Sequence, residues 1–323
     1  MSETTKIESD AWMRFWFAPQ SDSRLTLART ALCVVAAAYF VSSMTDLSYW
    51  FVDGRPAAAG NLAMFVRASG LDAETRWMLS PLYLIDALIG CKAWVYYTYL
   101  LAGVALSGVV IFGKGGRVAQ WILWGVLVGW ANRIVMLSGL VETLLSLGLF
   151  ATAIGPPTSI VGLLSVGASR SGDPGSDPPQ QPADWTVGFA TRLLAVQFTL
   201  IAVLTTATML ASNIWWNGIG AYALAAPVQD RYLQITGGWF EREFVYEACT
   251  HVLVCLLPLG VALAWWRERY YLGKIFIGVW CLMVAFLGSH WLYAAAMFSM
   301  ALAIEPLALK PLSHRAEIRS DNV

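Results

Sequence analysis

Glu247 and His251 stand four residues apart in FVYEACTHVLVCLL, a spacing that places both side chains on one face of a helix. A carboxylate beside an imidazole there can serve as an acid and base pair, or supply two metal ligands. The simpler structural account is an interfacial polar pair at the start of a membrane segment. Arg133 and Glu142 flank a short turn in NRIVMLSGLVETLL. They read either as an ion pair closing a helical hairpin or as polar groups pointing into a cavity, where Arg133 would steady an anion. Trp215 and Trp216, in IWWNGIGAYALAAP, suit an aromatic cover over a ligand pocket. His290 lies at a break in an apolar run and could join such a site, yet with three histidines in the chain and no carboxylate beside His290, no metal site is expected.

The elements that must position these residues are membrane helices. The 323 residues are 58% hydrophobic and 13% charged, against about 25% charged in an average soluble domain. Sixteen Trp, twelve Tyr and fourteen Phe fit the aromatic belts that form at lipid headgroup level. No stretch is long or polar enough to form a separate soluble domain. A span needs about 20 apolar residues, and that ruler predicts an all-α, polytopic transmembrane bundle of eight spans with interfacial aromatic helices. The predicted spans are 25–44, 93–113, 118–136, 140–154, 190–211, 248–266 and two from the split of 274–305 at Gly288, Ser289 and His290. Residues 1–24 read as a cytoplasmic N-terminal segment, 25–306 as the transmembrane domain and 307–323 as a cytoplasmic tail. The stretch 168–185, rich in Pro, Gly, Ser and Asp, reads as a disordered loop.

Basic residues set the expected orientation. Lys6, Arg14 and Arg24, then Lys114 and Arg117, then Arg267, Arg269 and Lys274, then Lys310, Arg315 and Arg319 recur at alternate turns. The positive-inside rule then puts both termini in the cytoplasm of a plasma (inner) membrane. Asp86, Lys92 and Arg192 lie near enough to predicted ends to snorkel, and Glu305 closes the last span. The two outer stretches 46–92 and 213–246 interleave aromatic and charged residues, as interfacial or re-entrant pieces do.

Several function classes are excluded or unsupported. Equal numbers of Lys+Arg and Asp+Glu, 21 each, leave no basic footprint for nucleic acid. The five cysteines include no CxxC pair, so neither a disulfide framework nor a thiolate site is expected. No Walker loop, dinucleotide fingerprint, HExxH or GxSxG occurs, and no repeated polar stripe or pair of broken spans marks a transporter.

Four stretches together resemble the HTTM family, the horizontally transferred transmembrane domain related to the membrane part of vitamin K-dependent gamma-carboxylase. They are WMRFWFAPQSDSRLTLARTAL with its embedded Arg29, the Arg-bearing turn NRIVMLSGLVETLL, the run RLLAVQFTLIAVLTTATMLASNIWWNGIGAYALAAP, and the pairing of the RER turn with the run ending in AAAMFSMAL. The resemblance covers most of residues 12–305. It implies a bundle of this kind, but it does not carry the carboxylase reaction over. In carboxylase-like members a Lys-Leu pair stands shortly before the Trp-Trp pair, and here that lysine position is Met209. A thioether cannot accept a proton at neutral pH, so glutamate carboxylation is not expected.

The sequence therefore points to a membrane protein that binds a lipid, a quinone-like ligand or a partner protein, with Arg133, Glu142, Trp215, Trp216 and His290 as candidate contacts. It names no cofactor. The alternative is a membrane enzyme acting on a lipid-soluble or peptide substrate with Glu247 and His251 as acid and base.

Overall fold

The computed structural model describes residues 12–13, 15–18, 20, 22–45, 47–56, 58, 80–133, 139–162, 184–225 and 242–305. The expected tail and most of the expected 168–185 loop lie outside them. The described elements are helices: α1 (Asp22–Ser43), α2 (Leu47–Trp50), α3 (Pro81–Ile89), α4 (Ala93–Ile111), α5 (Gly116–Arg133), α6 (Leu140–Ile154), α7 (Trp185–Ala211), α8 (Asn213–Trp216), α9 (Gly220–Ala225), α10 (Glu243–Trp265), α11 (Tyr270–Gly288) and α12 (Trp291–Ala301). Five of them, α1, α4, α7, α10 and α11, are long and apolar enough to cross a membrane. Helices α6 and α12 are apolar but shorter, and α5 does not join the five. Outward-facing residues of α7 such as Leu200, Val203 and Leu204 are more than half exposed, an apolar surface too extensive for water. This is the build of a helical membrane protein.

Local sequence explains where the helices start and stop. Pro81 opens α3, where a missing N–H costs nothing. Asp184 caps α7 by accepting from the Thr186 N–H at 2.9 Å, so α7 begins at Trp185, five residues before the expected start of span five, and the end of the expected 168–185 loop is helix N-terminus. The turn between α4 and α5 needs left-handed backbone at Gly113, Gly115 and Gly116, which glycine alone adopts freely. The run 274–305 breaks into two helices, of which α11 alone is long enough to cross a membrane: α11 ends at Gly288, Ser289 takes φ 54°, and α12 starts after His290. The two helices run antiparallel, with Trp280 near Tyr293 and the Lys274 ammonium donating to the Leu302 carbonyl at 3.1 Å.

Helices that follow one another in this set alternate in direction. Tyr39 meets Glu142 and Arg29 meets Thr152, so α1 and α6 are antiparallel. Tyr99 meets Val126 across α4 and α5, and Trp280 meets Leu253 across α11 and α10. Helix α1 packs against α4, α6, α7 and α12 and forms the middle of the bundle. Residues 24 and 305 consequently share one end, where Arg24 donates to the Ile304 carbonyl at 3.2 Å. That end also carries Arg29, Lys114, Arg117, Arg192, Arg267, Arg269 and Lys274, and is called the basic end below. The aromatic segment before α1 docks there, Phe17 stacking on Phe189 and Phe15 on Trp265.

Helices α10 and α11 approach through glycine. A Cβ at Gly273 would overlap the backbone of Ala264, its Cα at 2.6 Å, and would sit 2.7 Å from the Gly260 carbonyl oxygen. Backbone cannot yield as a side-chain tip does. Gly273→Val is expected to lower stability by about 1–3 kcal/mol, measured by denaturant unfolding in detergent. Gly108→Ala, where an added Cβ meets nothing, should be neutral.

Candidate functional site

All seven candidate residues lie at the end opposite the basic one: Arg133 closes α5, Glu142 opens α6, Trp215 and Trp216 form α8, Glu247 and His251 open α10, and His290 sits between α11 and α12. They fall into two groups.

In the first group Arg133 and Glu142 do not pair with each other. The Arg133 Nε lies 3.0 Å from Asp86 Oδ2, both side chains being fully buried. Its Nη2 donates to the Tyr96 hydroxyl at 3.0 Å, and that hydroxyl donates to Asp86 Oδ1 at 2.6 Å. The guanidinium carbon sits 5.4, 5.2 and 5.5 Å from the ring centroids of Phe51, Tyr83 and Tyr96. The result is a closed ion pair in an aromatic box, a favourable arrangement for a desolvated cation. Asp86, expected to snorkel, is instead buried on α3 and locks that helix to α5. The clue in the sequence was a single acid in the apolar segment PLYLIDALIG.

Glu142 has other partners. Its Oε1 accepts from the Tyr39 hydroxyl at 2.8 Å and its Oε2 from the Gly139 N–H at 2.7 Å. It borders a cavity of about 300 Å³ between α5 and α6 with Asn132, Thr143 and Ser146.

The second group lies on α8, α9 and α10. Trp215 packs over Gly220, while Trp216 is mostly exposed and its indole N–H donates to the Leu210 carbonyl. Thr250, fully buried, fastens this cover to α10. Its hydroxyl accepts from the Ala221 N–H at 2.8 Å and shares its one proton between the carbonyls of Gly218 at 2.8 Å and Tyr246 at 2.7 Å. Thr250→Val strands a buried N–H and a buried carbonyl, so it should lower stability by about 1–3 kcal/mol. Thermal unfolding in detergent checks this, and Thr250→Ser should restore most of the loss.

Beside this fastening lies a pocket of about 340 Å³ lined by Asn217, Gly218, Ile219, Tyr222, Glu243, Tyr246 and Glu247. Gly218 takes φ 75° and the Glu247 side chain lies so close that a Cβ would come within 2.6 Å of its Cγ. The Tyr222 and Tyr246 rings meet edge to face at 5.6 Å. Among the described residues neither Glu243 nor Glu247 makes a salt bridge. Sequence reasoning missed Glu243, Tyr222, Tyr246 and Thr250. Glu243 was legible as the residue one turn before Glu247; the tyrosines were not, because Tyr222 comes from a different element.

Glu247 and His251 do share a helix face, but the ring is held by main chain. The His251 Nδ1 donates to the Glu247 carbonyl at 2.8 Å, and His251 does not line the pocket that Glu247 borders. The carboxylate therefore does not orient the imidazole. His290, exposed, lies beside Gly288 and Leu224. Among the described residues no group of three or more His, Cys, Asp or Glu side chains could hold a metal ion. Met209 is 9% exposed and packs in the core. No protein-family model, curated protein or solved structure matches this chain.

Proposed function

We propose that this chain is an integral membrane protein that binds the cationic headgroup of an amphiphile in the pocket formed by α10, α9 and the turn that joins α9 to α8. The observation that carries the reading is the pairing of Glu243 and Glu247, one turn apart and without a salt-bridge partner among the described residues, with the rings of Tyr222 and Tyr246. Two carboxylates favour a cation, and aromatic faces add attraction for an ammonium group. The same charges disfavour anionic lipids and give a neutral quinone nothing to balance them. The pinned cover and the Trp215 packing supply a preformed wall, which lowers the ordering cost of binding.

The basic end would face the cytoplasm. Its described cations, Arg24, Arg29, Lys114, Arg117, Arg192, Arg267, Arg269 and Lys274, outnumber its acids, Asp22, Asp184, Glu268 and Glu305, as the positive-inside rule requires. The eight longer helices would then all span, α5 packed on α4, α6 on α1 and α7, and α12 on α1 and α11, in the bundle plan expected from the HTTM resemblance. Carboxylation is not part of the proposal, since Met209 offers no base. The test is titration of the detergent-purified protein with alkyl-ammonium amphiphiles and with anionic and neutral ones of equal chain length. Saturable binding of the cationic set alone supports the reading, and equal binding of all three sets overturns it.

A further inference from the structure

The cavity between α5 and α6 is a separate place with different chemistry. Glu142, 8% exposed, forms its acidic wall, and Asn132, Thr143 and Ser146 supply the other polar groups, with Val128 and Leu147 on the apolar side. A carboxylate offers about four acceptor positions, of which Tyr39 and Gly139 take two. Among the described residues no cation pairs with it. A buried carboxylate in that state calls for a positive partner.

The hydroxyls give a second, independent sign. Thr191, Thr199, Thr206 and Ser299 each return their proton to a main-chain carbonyl one turn back, the ordinary habit of hydroxyls in apolar helices. Thr143, exposed, and Ser146, half-buried, make no such bond among the described residues, and both line the cavity. Their oxygens remain available as acceptors beside Glu142.

We infer that this cavity binds the primary ammonium of a membrane lipid headgroup. An –NH₃⁺ group carries three donors and no acceptor, which matches one carboxylate and two hydroxyls. A quaternary ammonium has no donor to give them, and among the described residues the lining holds no aromatic ring to receive it by its π face. The volume, about 300 Å³, is roughly ten times the share of one water molecule, so it fits a headgroup better than a bare ion. Its place along the first two turns of α6 and the last turns of α5 sets it at headgroup level.

The experiment is native mass spectrometry of the full chain released from nanodiscs containing equal amounts of phosphatidylethanolamine and phosphatidylcholine on a common anionic background. The expected result is retention of phosphatidylethanolamine in preference to phosphatidylcholine. Ser146→Ala should abolish that preference, and because this hydroxyl makes no bond among the described residues the variant should unfold like the parent. Glu142→Gln should abolish it too, whereas Glu247→Gln, in the other pocket, should leave it intact. Equal retention of the two lipids, unchanged preference in Ser146→Ala, or loss of preference in Glu247→Gln each overturns the assignment. The last outcome would place the lipid in the α8–α10 pocket, so this inference and the proposed function fail separately.

Discussion

Asp86→Ala is expected to destabilise the protein by about 3–5 kcal/mol, because it removes the carboxylate that lies 3.0 Å from the fully buried Arg133 guanidinium. The aromatic box of Phe51, Tyr83 and Tyr96 cannot replace a carboxylate at 3.0 Å, since cation–π attraction contributes only about 2 kcal/mol even when desolvated. Arg133→Met alone should be similarly harmful, stranding the carboxylate instead. The double variant Asp86→Leu with Arg133→Met should recover much of the loss, as apolar replacements of whole buried ion pairs do. A double-mutant cycle by denaturant unfolding in detergent measures this coupling. Simple additivity of the two single losses would mean that the pair does not act as a unit.

The second large effect is on binding. Replacing both Glu243 and Glu247 by Gln should weaken a cationic amphiphile about a hundredfold, since two charge-assisted contacts contribute roughly 3 kcal/mol together and each 1.4 kcal/mol is a factor of ten. Glu247→Gln alone should cost about tenfold. Both side chains are exposed and make no salt bridge among the described residues, so stability should scarcely change. The affinity loss should also shrink at high salt, where the carboxylates of the parent are screened. Titration calorimetry at two ionic strengths checks both points. A double variant that binds as tightly as the parent removes the α8–α10 pocket from consideration.

Much of this architecture follows from the sequence. Apolar runs separated by Gly, Pro and basic turns marked where helices form, because a helix in hydrocarbon must satisfy its own backbone and therefore needs an unbroken apolar stretch. The same logic located the break at Gly288 to His290, where a small residue and two polar ones interrupt 274–305. It also placed every candidate residue near a helix terminus. Once neighbouring helices alternate, those termini fall at one end.

The partners of each polar group were decided only by tertiary structure. Arg133 and Glu142, nine positions apart, read either as an ion pair or as groups facing a cavity; in the fold Arg133 pairs with Asp86 on α3, while Glu142 bonds Tyr39 on α1 and borders a cavity. Helices such as α4 are apolar all round, and a helix without a polar face gives no sign of its rotation about its axis. The i, i+4 spacing of Glu247 and His251 correctly gave a shared face, but not that the imidazole would bond a carbonyl while the carboxylate met Gly218 and the tyrosines. Spacing along one helix fixes neighbours within that helix. Contacts between helices depend on rotation and depth, which close glycine approaches such as Gly273 on Ala264 and buried hydrogen bonds such as Tyr39 to Glu142 settle when the bundle packs.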